Sequence, residues 1–274
     1  MYDPVFVIGA AVLGAILGSF LNALSFRFNT GRTMGGRSRC MRCGHTLGAL
    51  DLVPVLSYMF LGGKCRYCKA KVSLQYPLVE LLAAVLSVGV YLLNPLPLTY
   101  ALFLLVWLTI LFIGVYDMRH TVIPWTFSIL LMVLAFASLF VSGMPSLWSL
   151  LAGPLLALPL FLLSLFSRGT WMGWGDSAFE LSLGWLLGIA AGTTALMLAV
   201  WSGAFVGLAL LALQYVSKKL AKTSSTGRAK NTFVLSSLGL TIKSEIPFAP
   251  FLAFGAALAY FFDVTFFSTL PLLF

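Results

Sequence analysis

Uncharged apolar runs of about 20 residues recur along this 274-residue chain, each long enough to cross the hydrocarbon core of a bilayer. Inside that core every backbone N–H and C=O needs an internal partner, so such runs fold as helices. Composition agrees, with 60% of residues hydrophobic and 9% charged. The first run, Val5 to Leu24, follows Asp3 instead of a basic segment and ends in polar sequence without a small-residue cleavage site. It is expected to stay as a helix and not to be removed as a signal. Tracing the runs predicts helices at about 5–26, 74–93, 97–116, 122–141, 147–166, 178–192, 194–216 and 247–265. Asn94-Pro95-Leu96-Pro97, Ser142-Gly143-Met144-Pro145 and Gly192-Thr193-Thr194 are the turn signals between neighbours. The fold class expected is an all-α polytopic membrane protein with about eight transmembrane helices.

The polar sequence is confined. Residues 27–73 form an insertion after the first helix, and residues 217–245, rich in Ser, Thr, Lys and Arg, read as a linker. The chain therefore divides into a first transmembrane helix (1–26), a small cysteine-rich domain (27–73) and a multi-helix transmembrane domain (74–274) carrying that linker. Nine of the 17 Lys and Arg lie between Arg27 and Lys71, and five more between Lys218 and Lys230. The positive-inside rule puts both loops in the cytoplasm and, with eight crossings, both termini outside. The net charge of +9 thus reflects topology and anionic lipid. No aromatic interleaving of the kind that binds single-stranded nucleic acid accompanies it.

All four cysteines fall in the first loop, as Cys40-x-x-Cys43 and Cys65-x-x-Cys68 with 21 residues between the pairs. This is close to four-cysteine zinc spacing, since each C-x-x-C turn presents two thiolates and a tetrahedral ion accepts both pairs. A structural zinc would also supply the folding energy that a loop of this size lacks. Disulfides and free or redox-active thiols are the rival readings, the first disfavoured by a reducing compartment. His45 is expected as a solvated loop residue and not as a fifth ligand.

Of eight acidic residues, Glu80, Asp117, Asp176 and Glu180 lie at or near apolar runs, and ionisable groups at membrane depth mark function by default. Asp117 closes the third expected helix, and Asp176 follows Gly173-Trp174-Gly175 before the sixth, so topology puts both on one face of the membrane. Two carboxyl groups brought to one wet spot can divide acid and base work, one protonated to polarise a carbonyl and the other activating water. The glycines beside Asp176 allow close approach of a substrate strand. The plainer alternative is a helix cap at Asp176 and an interface residue at Asp117.

Taken together, these segments resemble the prepilin peptidase (type 4 leader peptidase) family. Similar to it are Gly18-Ser-Phe-Leu-Asn22 with Arg27, Gly36-Arg-Ser-Arg-Cys40, Asp51-Leu-Val-Pro-Val-Leu-Ser-Tyr58, Gly63-Lys-Cys65 and Tyr76-Pro-Leu-Val-Glu80. So are Tyr116-Asp117, Ile123-Pro124, Gly173-Trp-Gly-Asp176 and Ile246-Pro-Phe-Ala-Pro-Phe251. The resemblance implies a GxGD-type aspartic protease of the bacterial inner (plasma) membrane with Asp117 and Asp176 as its catalytic pair and zinc on Cys40, Cys43, Cys65 and Cys68. It implies prepilins and pseudopilins as substrates, and, as in many members, methylation of the new N-terminus with S-adenosylmethionine. No glycine-rich nucleotide fingerprint accompanies that last activity here. Ala178, Arg119, Trp125 and Met41 depart from residues the family usually carries at those places.

Two other readings share parts of the pattern. Presenilin and signal-peptide-peptidase proteases also carry Tyr-Asp and G-x-G-D, but on consecutive helices and with a Pro-Ala-Leu motif that this chain lacks. A proton- or cation-coupled transporter would use intramembrane carboxylates too, though preferably at the bilayer midplane. A scaffold that kept the fold without the activity is a third. The topology is tested by reporter fusions: residues 27–73 and 217–245 should both report from the cytoplasm, and either one reporting from outside overturns the assignment.

Overall fold

The computed structural model describes residues 3–30, 35–141, 143–170, 172–223 and 247–266, and among them it is helical apart from turns and two isolated antiparallel bridges. The helices are α1 (Pro4–Arg27), the short α2 (Leu56–Phe60), α3 (Gln75–Leu93), α4 (Pro97–His120), α5 (Trp125–Ser138), α6 (Leu147–Phe166), α7 (Trp174–Thr223) and α8 (Ala249–Phe262). Five of them, α1, α3, α4, α6 and α7, are long and apolar enough to cross a membrane, which makes this a multi-pass membrane protein. α5 and α8, apolar but 14 residues each, are about 21 Å long and fall short of an average core of about 30 Å.

The chain divides into two compact units. The first is Met1–Tyr116 with Ile123–Leu150, and the second is Asp117–Val122 with Leu151–Phe274. In the first unit, Asp3 caps α1 by accepting the Val5 N–H at 2.9 Å, with Pro4 opening the helix where a missing N–H costs nothing. The buried side of α1 is small and polar: Ala10, Gly14, Gly18, Asn22 and Ser25. Lipid gives helices no hydrophobic reason to associate, so small residues that let backbones touch do the work. A Cβ at Gly14 would lie 2.5 Å from the Ala83 carbonyl oxygen of α3, and one at Gly18 would lie 2.9 Å from the Glu80 Cα. Hydrogen bonds reinforce the seam. Ser87 donates to the Ala10 carbonyl at 2.6 Å and shares a 2.7 Å bond with Tyr100, while Asn22 donates to the Tyr76 carbonyl at 3.0 Å. Phe28 packs edge-on against Phe112, Tyr116 and Phe127 where α1 ends.

The second unit is built by the same means. A Cβ at Gly184 of α7 would sit 2.7 Å from the Gly153 Cα of α6, and one at Gly255 of α8 would strike the Ala195 carbonyl of α7. Each of these glycines allows a helix crossing that alanine would hold apart.

One sequence expectation is corrected here. The break between the sixth and seventh expected helices lies at Gly188, not at Gly192-Thr193-Thr194. Gly188 adopts φ 76° and ψ −179°, a region open essentially to glycine alone. The chain folds back there, because a Cβ at Gly192 would come within 3.8 Å of the Gly184 Cα, far closer than eight helical residues allow. Thr193 and Thr194 read as turn residues, yet both hydroxyls bond the Ala190 carbonyl at 2.9 Å and so remain inside the helix. Of the expected linker, residues 217–223 continue α7 and the rest lies outside the described residues.

Gly188→Ala should destabilise the protein by about 1–3 kcal/mol, because an L side chain is strained at that φ and ψ. Gly9→Ala, where a Cβ meets nothing within 4 Å, is the control. Thermal unfolding in detergent should separate the two variants, and equal midpoints would refute the turn at Gly188.

Candidate active site and metal centre

Asp117 lies in the last turn of α4 with its side chain 5% exposed. Its Oδ2 accepts the Ala249 N–H at 3.1 Å, and Ala249 is the first residue of α8. Helix N-termini carry unpaired donors and partial positive charge, so this carboxyl receives both a hydrogen bond and a favourable field. Pro250, next in the chain, has no N–H to compete.

Asp176 is the third residue of α7. Its Oδ2 accepts the Gly173 N–H at 3.2 Å, the backward bond of a capping box. A Cβ at Gly173 would lie 3.3 Å from that oxygen, so the glycine keeps the carboxyl uncovered on this side. Asp117 and Asp176 are close enough to feel each other's charge. Each therefore uses Oδ2 to hold a backbone N–H, and each has its Oδ1 free of protein hydrogen bonds among the described residues. The two sequence candidates, 59 positions apart, both fall in the second unit, each bonded to a backbone N–H at the start of a helix.

The other buried carboxylates differ. Glu80, on α3 in the first unit, accepts the Val55 N–H at 2.7 Å. That bond ties the cysteine loop to the membrane helices at a residue whose φ of 61° is strained for a β-branched side chain. Glu180, one turn beyond Asp176, is fully buried, and neither of its carboxyl oxygens has a hydrogen-bond partner among the described residues.

In the first unit the four cysteines form a cluster whose sulfurs all lie within 4.8 Å of one another, which could hold a metal ion. Cys40 Sγ and Cys68 Sγ are 3.8 Å apart, the edge expected of a sulfur tetrahedron around an ion with bonds of about 2.3 Å. All four are free thiols. The site is built twice. Arg39 bridges Thr46, and Lys64 bridges Lys71, each pair enclosing one C-x-x-C. The Cys40 N–H donates to the His45 carbonyl at 2.9 Å and the Gly44 N–H to the Cys40 carbonyl at 2.9 Å. Twenty-five residues later Cys65 donates to Ala70 at 2.8 Å and Lys69 to Cys65 at 3.0 Å. Gly44 and Lys69 both turn the chain with positive φ, at 71° and 56°.

Electrostatics within the cluster divide the thiols. The backbone N–H groups of Cys43 and Arg42 lower the Cys40 thiol to about 6, giving a thiolate at neutral pH. Cys68 goes the other way, to about 11: the Ala70 N–H stabilises its thiolate, but burial and the bonds among the neighbouring thiols outweigh it. A cation at the centre would draw all four to the thiolate form. His45 stacks on Tyr67 with ring centroids 3.7 Å apart and lies outside the cluster, as its solvated reading implies. Sequence reasoning gave Asp51 no role, yet it binds the two halves of the loop. Its carboxylate accepts from Gly48 N at 3.1 Å, Arg66 Nε at 2.6 Å and Tyr67 OH at 3.3 Å. Burial works against its charged form, but the Gly48 N–H and the Arg66 guanidinium hold it below the usual carboxylate range.

A family model for the bacterial peptidase A24 N-terminal domain matches residues 12–93, which span most of α1, the cysteine loop and α3. A prepilin leader peptidase/N-methyltransferase of Myxococcus xanthus (strain DK1622) is 32% identical over 219 residues, 77% of this chain and 64% of that protein. One of Aeromonas hydrophila is 37% identical over 184 residues, 65% of this chain and 63% of the relative. One of Burkholderia pseudomallei (strain 1026b) is 30% identical over 296 residues, 95% of this chain and 87% of the relative. The match thus spans slightly under two thirds of the first two relatives and most of the third. No solved structure matches the chain. With a loop that can hold a metal, an N-terminal region matching the family model and a relative aligned over most of both lengths, the chain belongs to the prepilin peptidase family.

Proposed function

We propose that this chain is an intramembrane aspartic endopeptidase that removes the short leader of type IV prepilins and pseudopilins at the cytoplasmic face of the inner membrane. The observation that carries the reading is the pairing of Asp117 and Asp176, each held through one carboxyl oxygen by a backbone N–H and each with the other oxygen open. Two carboxyl groups that feel each other's charge share one negative charge most favourably, with a proton on one of them. The ionised carboxylate takes a proton from water as its oxygen attacks the scissile carbonyl carbon, while the protonated carboxyl donates to the carbonyl oxygen. When the tetrahedral intermediate collapses, the C–N bond breaks, the leaving amine takes a proton and the pair returns to its starting charge. The donors on Oδ2 fix both carboxyls in place, so the open Oδ1 atoms do the proton transfer.

Both aspartates sit at helix ends, which suits a substrate arriving at the membrane surface and not the midplane site a transporter prefers. Gly173 and Gly175 beside Asp176 leave room for an extended peptide backbone. The basic loops at 27–73 and 217–245 support a cytoplasmic orientation for this edge. N-methylation with S-adenosylmethionine rests on the family alone. Zinc is the metal we assign to Cys40, Cys43, Cys65 and Cys68. Four sulfur ligands close its coordination shell, so it would organise the loop and leave the hydrolysis to the aspartates.

Two outcomes test these assignments. Metal analysis of the purified protein should find one zinc per chain, absent from a Cys40→Ser/Cys65→Ser variant whose loop amides also exchange faster with solvent. A metal-free wild type with a protected loop would sink the zinc assignment. Asp117→Asn and Asp176→Asn should each reduce cleavage of a candidate prepilin by about 10³-fold or more without preventing membrane insertion. The double variant should be little worse than either single one, as groups acting together require. Glu180→Gln should retain turnover. Product mass spectrometry reports the cut, and normal cleavage by either aspartate variant overturns the proposal.

A further inference from the structure

Between α1 and the cysteine loop of the first unit lies a groove of about 530 Å³ that neither the carboxylate pair nor the thiol cluster uses. Its wall on α1 is the stripe Ile16, Phe20, Leu24 and Arg27, at the spacing of one helix face. Leu52 and Pro54 of the loop close it from the other side. The stripe differs from the one that packs on α3, where Gly14, Gly18 and Asn22 are buried. Ile16 and Phe20 are 53% and 60% exposed on a helix whose surroundings are hydrocarbon. The groove is thus open to the bilayer along its apolar length and ends at a guanidinium in the last turn of α1.

Apolar depth with one cation at the helix end is the complement of a lipid with a negative head. Acyl carbons enter such a groove without leaving hydrocarbon, and a guanidinium fork matches phosphate geometry. Arg27 also donates to the Gly36 carbonyl at 3.3 Å, which holds the cation over the mouth on the loop side. Arg27 is the one cation among the residues that line the groove.

We propose that this groove seats one anionic phospholipid, its phosphate on Arg27 and an acyl chain along Ile16, Phe20 and Leu24. The lipid then bridges α1 and the cysteine loop within the first unit. The inference is independent of peptidase activity and of the face on which the loop lies.

Delipidated full-length protein in detergent, titrated with phosphatidylglycerol or phosphatidylcholine and read by native mass spectrometry, tests it. The wild type should retain one phosphatidylglycerol with roughly fivefold preference over phosphatidylcholine, whose choline cation offsets its phosphate, the contribution of one arginine near a headgroup of net negative charge. Arg27→Gln should erase the preference, and Ala23→Phe, which fills the groove from α1, should lower retention of both lipids. Arg168→Gln removes an exposed charge beyond the end of α6, outside the groove, and should change nothing. Equal retention of the two lipids by the wild type overturns the proposal. So do equal losses in Arg27→Gln and Arg168→Gln, or displacement of the bound lipid by inorganic phosphate alone. The wild-type measurements decide the matter even if a variant does not fold.

Discussion

A carboxyl group that is to carry charge in an apolar surrounding needs hydrogen-bond donors where water is scarce, and the backbone of a helix has spare N–H groups only in its first turn. Asp117 and Asp176 meet that condition at the N-termini of α8 and α7. The architecture of the second unit follows from it. Two helices must begin at one place, so the chain has to return there, and the reversal at Gly188 and the close α7–α8 crossing at Gly255 both serve that return. The arrangement holds both carboxyl groups with peptide groups, which cannot move away as long side chains can. It also leaves both Oδ1 atoms without a protein hydrogen bond among the described residues.

The cysteine loop solves a different problem with similar economy. Too small for an apolar core, it repeats one hydrogen-bonded knuckle, and the two copies bring four sulfurs within 4.8 Å. Asp51 fastens one knuckle to the turn before α2, and Glu80 fastens the following segment to α3. A buried carboxylate on α3 thus helps to fasten the loop that carries the cysteine cluster to the membrane helices. Neutralising it would loosen the loop without touching a cysteine.

Much of this was legible in the sequence because it depends on local spacing. The apolar runs located every long helix, the paired C-x-x-C located the cluster, and Gly173-Trp-Gly-Asp176 marked a carboxyl group at a helix start. What stayed hidden depends on tertiary contact or on backbone angles. Gly188 looks like any glycine in an apolar helix, while the polar Gly192-Thr-Thr beside it looked like a turn until the Ala190 carbonyl was seen to satisfy both hydroxyls. The Ala249 N–H carries no sequence signal of its own, although Pro247 and Pro250 around it mark a helix start. The duplicated knuckle could have been found by aligning Arg39–Thr46 with Lys64–Lys71, whose resemblance beyond the cysteines lies mainly in backbone bonds.

The turn at Gly188 has a consequence for the surrounding bilayer. From Trp174, an aromatic residue of the kind that settles at headgroup level, to that turn is 14 residues, or about 21 Å of helix. An average hydrocarbon core is about 9 Å thicker than this limb. Such hydrophobic mismatch is relieved by thinning the nearby lipid, and its cost rises with acyl chain length. Membrane thickness therefore acts on the limb that carries Asp176, and a cell that lengthens its fatty acids strains the segment on which that carboxyl is mounted.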